Sequence, residues 1–169
     1  GREKAADLSC GSGISALYLA KKARMVYGLE MDRFFVRDAV FNSRLNRMEN
    51  VIFMEKEMEE FSSQKDILAD HPAAVFVKPQ GRGLHPSLIE TFAQENFKTL
   101  IYTTSHLEIL KQDSEKILGA GYVLDEVKGF DILPGTFHVE AVAVFHKKPK
   151  VRIRREKKKA SIRVSKKTP

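Results

Sequence analysis

The sequence contains a single cysteine, Cys10. No apolar run in it approaches the length of a membrane-spanning helix, which is about 20 residues. One cysteine excludes an intrachain disulfide framework and any metal or iron–sulfur site built from four thiolates. No secretory signal pattern is visible. We therefore expect no metal site, no membrane partner and a cytoplasmic protein, with the mitochondrion as the alternative location.

Basic residues are unevenly distributed along the 169 residues. Residues 147–169 contain twelve lysines and arginines and one acid, whereas residues 1–146 carry a net charge of −4. The chain is thus predicted to consist of a mildly acidic domain, residues 1–147, and a basic tail, residues 148–169. Such a tail predicts binding to nucleic acid or another polyanion, and a solvated, disordered terminus is the alternative.

A glycine turn stands between an apolar segment and a helical one, in the stretch Asp7-Leu8-Ser9-Cys10-Gly11-Ser12-Gly13. Gly11 and Gly13 allow a sharp turn and the close approach of a ligand, and the N–H groups of the following helix start favour an anion. Glu30 ends the next apolar run, about 20 residues downstream, where an acid can accept both hydroxyls of a ribose. The pattern predicts a site for a nucleoside-type cofactor, with a purely structural turn as the alternative.

Strand-like apolar runs alternate with segments of helical periodicity along the rest of the domain. This alternation predicts an α/β fold with a parallel, doubly wound sheet, closed by an antiparallel hairpin to give seven strands with helices on both faces. The run Ala73–Val77 suits a strand that is buried on both faces. The other predicted strands are residues 5–8, 25–30, 50–54, 99–104, 122–130 and 139–145. The predicted helices are a segment from Ile14 and residues 31–48, 86–97 and 107–118, and residues 64–71 are predicted as a short helix and loop. Asp32 is the predicted N-cap of the helix in residues 31–48.

Several motifs together resemble the catalytic domain of the RNA uracil-5 methyltransferase family. The resemblance covers nearly all of residues 4–147, and it implies a Rossmann-like fold, S-adenosylmethionine as cofactor and rRNA or tRNA as partner. The segment Phe130-Asp131-Ile132-Leu133-Pro134-Gly135-Thr136-Phe137-His138-Val139-Glu140 is the most family-specific part. The other matching parts are residues 7–13, 26–30 and 102–105, and Pro79 with Gly83-Leu84.

The resemblance implies a cofactor site formed by Asp7, Gly11, Gly13, Glu30 and Glu57. The two glycines would pass under the methionine part of the cofactor, Glu30 would hold the ribose, and Glu57 would lie near the adenine. For Glu57 a solvated acid at a helix start is an equally good interpretation.

Cys10 occupies a position in the turn where the family commonly has a cysteine. We therefore expect a small residue that packs under the turn rather than a displaced nucleophile.

The sequence departs from the family at the reacting end of the site. The family's cysteine nucleophile is replaced by Ser105, and Lys78-Pro79-Gln80-Gly81 stands where the family has Asp-Pro-Pro-Arg. A serine hydroxyl is a poor nucleophile unless a base takes its proton, and consecutive strand residues point opposite ways, so His106 is not expected to serve Ser105. The family's proton-abstracting base is retained as Glu140, for which an ion pair with Lys78 is the alternative role.

Two functions follow from these features, and both stay open at the level of sequence. The first is a catalytically degenerate, methyltransferase-like domain that binds rRNA or tRNA, with or without S-adenosylmethionine. The second is an active S-adenosylmethionine-dependent RNA methyltransferase, of uracil-5 type or altered specificity. A methyltransferase acting on a small molecule or a protein would leave the basic tail unexplained. Because full-length family members carry an RNA-binding barrel upstream, a missing N-terminal region or a protein partner is also expected.

Overall fold

The computed structural model describes residues 3–79 and 81–149. Gln80 and residues 1–2 and 150–169 lie outside the described residues, so the predictions on Gln80 and most of the basic tail are not addressed by the fold. The strands are β1 (Lys4–Asp7), β2 (Met25–Glu30), β3 (Val51–Glu55), β4 (Ala74–Val77), β5 (Thr99–Thr104), β6 (Tyr122–Phe130) and β7 (Glu140–Lys147). The helices are α1 (Ile14–Ala20), α2 (Arg33–Leu45), α3 (Lys65–Ala69), α4 (Pro86–Gln94) and α5 (Leu107–Gly119), with a 3₁₀ helix at Met58–Ser63.

The seven strands form one sheet in the order β3-β2-β1-β4-β5-β7-β6. Strands β1 to β5 pair in parallel with one another, whereas β7 pairs antiparallel with both β5 and β6. The predicted seven-stranded mixed sheet with a terminal hairpin is therefore confirmed. The strand order reverses between β1 and β4, and in such sheets the ligand crevice lies outside the carboxyl ends of the strands at that point.

The helices pack on both faces of the sheet, as the burial of β1 shows. Its successive residues Ala5 and Ala6 point to opposite faces, and both are buried. Ala5 packs in a cluster with Ala16 and Ala20 of α1. Ala6 belongs to a larger cluster that includes side chains of α3, α4, α5 and the 3₁₀ helix. None of the helices in the described ranges is long and apolar enough to cross a membrane.

Strand β4 is fully buried on one face only, so the prediction of burial on both faces is wrong. Val75 and Val77 are buried, whereas Ala74 and Phe76 on the other face are half-buried. The same alternation runs along most of β7. The reason is that α1 and α2 pack on β1, β2 and β3, so among the described residues their cover ends near β4.

The ends of α2 and α4 each differ from the predicted ones by three residues. Asp32 caps α2 as expected, and its carboxylate accepts the N–H of Phe34 at 2.7 Å, but the helix ends at Leu45 instead of reaching residue 48. Helix α4 ends at Gln94 instead of reaching residue 97, because the backbone is extended at Glu95, with ψ 158°. Phe97 lies beyond this point and is buried in the core.

The open face of β7 predicts unequal effects of two neighbouring substitutions. Phe145 is fully buried, whereas Val144 is half-buried on the other face. Phe145→Ala should lower the free energy of unfolding by about 3–5 kcal/mol, because it leaves a cavity in the core. Val144→Ala should lower it by only about 1 kcal/mol, because the substitution removes less buried apolar surface. Urea unfolding followed by circular dichroism measures both, and equal losses would show that the two faces are equally buried.

Candidate functional site

The glycine turn after β1 is held by the carboxylate of Glu30, at the end of β2. Its Oε2 atom accepts the N–H of Gly11 at 3.0 Å, and its Oε1 atom accepts the N–H of Asp32 at 3.0 Å. Asp32 in turn caps α2, so one buried side chain fixes the turn and the start of the next helix together.

The two glycines of the turn have different roles, which the sequence did not distinguish. Gly11 has φ +53°, and a Cβ atom built there would meet nothing within 4 Å. Gly13 has φ +90°, and a Cβ there would lie 3.0 Å from the Cβ of Ala39 and 3.1 Å from the ring of Phe53. Gly11 therefore borders open space that a ligand can enter, whereas Gly13 is required by the packing of α1 against α2 and β3.

Asp7 lies behind the turn and is completely buried. Its carboxylate accepts the hydroxyl of Ser15 at 2.5 Å and the N–H of Ser9 at 3.3 Å. Burial raises the pKa of Asp7 to about 6, an effect that these two hydrogen bonds oppose and the nearby charge of Glu30 reinforces. Asp7 lines neither of the cavities described below, so its place in the structure is that of a support for the turn.

Cys10 packs under the turn, as predicted. It is 4% exposed and belongs to the cluster beneath α1. Burial raises the pKa of its thiol, which keeps the sulfur protonated and therefore a poor nucleophile.

Two neighbouring cavities open at the carboxyl ends of the strands. The first, about 280 Å³, is bordered by Met31, Glu57 and Met58, and the second, about 480 Å³, by Gly11 and Phe35 among others. Both are also lined by Ser9, Glu30, Lys78 and Pro79, so they are two compartments of one crevice. Sequence reasoning missed Met31 and Met58, although each directly follows a predicted cofactor residue.

Glu57 fits both of its interpretations. It caps the 3₁₀ helix in a reciprocal arrangement in which the Glu60 carboxylate accepts the N–H of Glu57 at 3.0 Å. It also lines the first cavity. An acid at a helix start can therefore face a ligand without giving up its capping role.

Lys78 and Glu140 form an ion pair at the reacting end of the site. Lys78 Nζ lies 3.0 Å from Glu140 Oε1, and the same oxygen accepts the hydroxyl of Thr103 at 2.8 Å. The Glu140 side chain is only 14% exposed, against 55% for Lys78. The backbone N–H of Lys78 also donates to Ser9 Oγ at 3.0 Å, which ties β4 to the glycine turn. The ion pair predicted as the alternative role of Glu140 is thus confirmed.

Ser105 and His106 both line the second cavity, but they are not arranged as in strand alternation. Strand β5 ends at Thr104, so both residues lie beyond it and the expectation that they point opposite ways is wrong. Ser105 Oγ and His106 Nδ1 are 3.5 Å apart. That distance is longer than the roughly 2.6–3.2 Å typical of an engaged nucleophile and base, and such contacts are often looser in the absence of substrate. Within the described ranges, no group of three His, Cys, Asp or Glu residues could hold a metal ion.

The burial of Asp7 predicts how stability depends on pH. Its pKa is about 6 in the folded state and 3.8 as the ordinary value, so the folded state binds the extra proton between these values. Burial of the ionised carboxylate therefore does not reduce the free energy of unfolding below about pH 4, and it reduces it by the full amount above about pH 6. Asp7→Asn should remove this reduction. The free energy of unfolding of the variant, relative to that of the parent chain, should therefore rise by up to about 3 kcal/mol from pH 4 to pH 7. Urea unfolding over this range measures it, and a pH-independent difference would contradict it.

The chain is similar to known methyltransferases in both sequence and structure. The family model described as tRNA (uracil-5-)-methyltransferase matches residues 2–148. An uncharacterized RNA methyltransferase of Chlorobaculum tepidum is 29% identical over 143 residues, which cover 83% of this chain and 30% of that protein. One from Listeria monocytogenes is 34% identical over 149 residues, covering 86% and 32%. The chain thus spans about one third of the length of these relatives.

Two solved structures show the same architecture. The tRNA (uracil-54, C5)-methyltransferase of Pyrococcus abyssi, in complex with S-adenosyl-L-homocysteine, superposes with a TM-score of 0.74 at 27% identity, covering 86% of this chain and 34% of that one. A precorrin-6y C5,15-methyltransferase of Geobacter metallireducens gives a TM-score of 0.67 at 16% identity, covering 86% and 82%, and shows the fold alone. The predicted Rossmann-like methyltransferase fold is confirmed. Since the family model spans the whole folded domain, this chain belongs to the tRNA (uracil-5-)-methyltransferase family.

Proposed function

We propose that this chain is an RNA-associated methyltransferase domain that binds S-adenosylmethionine but does not carry out the cysteine-dependent uracil-5 reaction. The observation that carries this proposal is the ion pair between Glu140, which lines neither cavity, and Lys78, which lines both. The cofactor part and the reacting part of the site are formed by different residues.

The residues of the crevice fit S-adenosylmethionine, which when bound supplies an electrophilic methyl group on its sulfonium. Glu30 accepts one backbone N–H on each carboxylate oxygen, and a carboxylate has about four acceptor positions, so it can also accept ribose hydroxyls. Gly11 leaves open space for the methionine part, and Met31 and Met58 offer apolar surface beside Glu57 for an adenine. The Pyrococcus abyssi relative, which has this fold, is described in complex with the demethylated cofactor.

The reacting end does not fit the family's chemistry. A hydroxyl at Ser105 stands where a thiolate should add to the uracil ring, and a hydroxyl is a poor nucleophile at neutral pH. Its contact with His106 is long, at 3.5 Å. Glu140 Oε1, on the family's proton acceptor, is already engaged by the Lys78 ammonium and the Thr103 hydroxyl. The first half of the reaction therefore lacks its thiolate, and in the second half the base is held in an ion pair.

The RNA partner is proposed from charge and family membership. The matched family acts on tRNA by its description, and the basic tail offers a sequence-independent attraction for phosphates. We propose rRNA or tRNA as the partner. An active enzyme of altered specificity is the second candidate, and the retention of Glu140 and of the cofactor residues favours it.

Cofactor binding is tested by calorimetry with S-adenosylhomocysteine on the purified chain. Glu30→Ala should weaken binding at least about tenfold, because hydrogen bonds to a charged group contribute about 1.5–3 kcal/mol each. Glu55→Ala is the matched control, since Glu55 pairs with Glu30 in the β2–β3 ladder and is exposed outside the crevice. Equal affinity of the two variants would reject a cofactor site at Glu30.

Activity is tested by transfer of labelled methyl groups from S-adenosylmethionine to tRNA and rRNA. We expect no transfer by the parent chain, and none by Ser105→Cys alone, because Lys78 still engages Glu140. The double variant Lys78→Asp, Ser105→Cys should recover measurable transfer. Transfer by the parent chain that is lost in Glu140→Gln would establish the active enzyme instead.

The tail is tested by deletion of residues 150–169, which leaves all described residues from Glu3 onward in place. The deletion should weaken RNA binding about equally for different sequences and flatten the dependence of affinity on salt, because fewer counterions are released. A chain whose tail residues are shuffled at constant composition should bind like the parent. An unchanged salt dependence after deletion would reject the tail as the RNA-binding arm.

A further inference from the structure

The loop after β4 shapes both compartments of the crevice. Lys78 and Pro79 line both cavities, Gly81 lines the second, and Arg82 and Gly83 line the first. The loop ends at Leu84, which is buried in the core, and α4 begins two residues later. The position of this loop therefore determines the shape of the space that a ligand can occupy.

A buried carboxylate on α5 holds the end of this loop. Asp113 is completely buried, and its Oδ2 atom accepts the backbone N–H of Leu84 at 2.7 Å and the hydroxyl of Tyr102 at 2.8 Å. Its Oδ1 atom accepts the ammonium of Lys116 at 2.8 Å. Burial raises the pKa of Tyr102, so its hydroxyl stays protonated and remains a donor.

Gly83 shows how closely the loop lies against this carboxylate. It has φ +75°, and a Cβ atom there would lie 2.9 and 3.0 Å from the two oxygens of Asp113. Only a residue without a side chain allows the loop backbone to approach Asp113 this closely. The contact is therefore formed from both sides, by a glycine in the loop and by a carboxylate in the helix.

We propose that Asp113 is a positioning residue of the ligand crevice, which fixes Gly83 and Leu84 and through them the adjoining Gly81 and Arg82. A position that needed packing alone would favour an apolar side chain, because a buried charge is costly to desolvate. The carboxylate is instead aimed at the backbone of the loop that lines the cavities. This inference rests on the proposed function in one respect, that S-adenosylhomocysteine is the ligand used to probe the crevice.

The test compares Asp113→Asn, Gly83→Ala and the double variant in the full chain. Each has two readouts: the affinity for S-adenosylhomocysteine by calorimetry, well below the unfolding midpoint, and the hydrogen-exchange rate of the Leu84 amide. Gly121→Ala is the control for backbone strain, because Gly121 has φ +91° but open space around it. Tyr122→Phe is the control for lost core hydrogen bonds, because its buried hydroxyl donates to the carbonyls of Phe92 and Phe97, outside the loop.

Each single variant should weaken binding about tenfold and accelerate exchange of the Leu84 amide. The double variant should bind the ligand as well as either single variant, because both substitutions disrupt the same contact between Asp113 and the loop. Both controls should bind the ligand like the parent chain, even if they lose as much thermal stability as the Asp113 and Gly83 variants. Binding by folded Asp113→Asn within about twofold of the parent, or additive losses in the double variant, would overturn the inference. Should the parent chain itself not bind the ligand, the proposed function fails, and unchanged Leu84 exchange in Asp113→Asn would then overturn the positioning role separately.

Discussion

The carboxylate of Glu30 connects the three segments from which the crevice is built. It accepts backbone N–H groups from the glycine turn after β1 and from the cap of α2, while its own strand lies beside β1 in the sheet. A buried carboxylate is tolerated only when donors surround it, and these two donors are fixed by the backbone itself. The turn, the helix start and the acid therefore stabilise one another, and the Glu30 side chain also lines both cavities.

The carboxylate of Glu140 is also surrounded by donors, but these donors are side chains instead of backbone N–H groups. β5 lies between β4 and β7 in the sheet, so the Lys78–Glu140 pair spans β5, and Thr103 of that strand donates to the same oxygen. Replacing an acid by Lys78 is compatible with the fold because Glu140 supplies the opposite charge nearby. The pairing satisfies both groups electrostatically. In the function proposed above, it would use for structure the carboxylate to which the resemblance assigns chemistry, and a cofactor site would lie beside an impaired reacting site.

The parts of this structure that depend on local patterns could be predicted from the sequence. The strand–turn–helix unit, the cap at Asp32 and the terminal hairpin follow from residues close together in the chain. The open face of β4 could not be predicted, because an apolar run does not tell whether a helix covers both of its faces. The contact between Asp113 and Leu84 was also missed, because it joins residues 29 positions apart through the packing of α5. The end of β5 at Thr104 was predicted correctly, but Ser105 and His106 lie beyond it, where strand alternation no longer determines the directions of side chains.

The most direct measurement is a high-resolution crystal structure of the full chain with S-adenosylhomocysteine. We expect a ligand that extends through both compartments, with its ribose hydroxyls on Glu30 and an intact Lys78–Glu140 pair beside its sulfur. Empty cavities at saturating ligand would contradict the cofactor site. A Lys78 side chain turned away, with Glu140 free and facing the sulfur, would contradict the impaired reacting end.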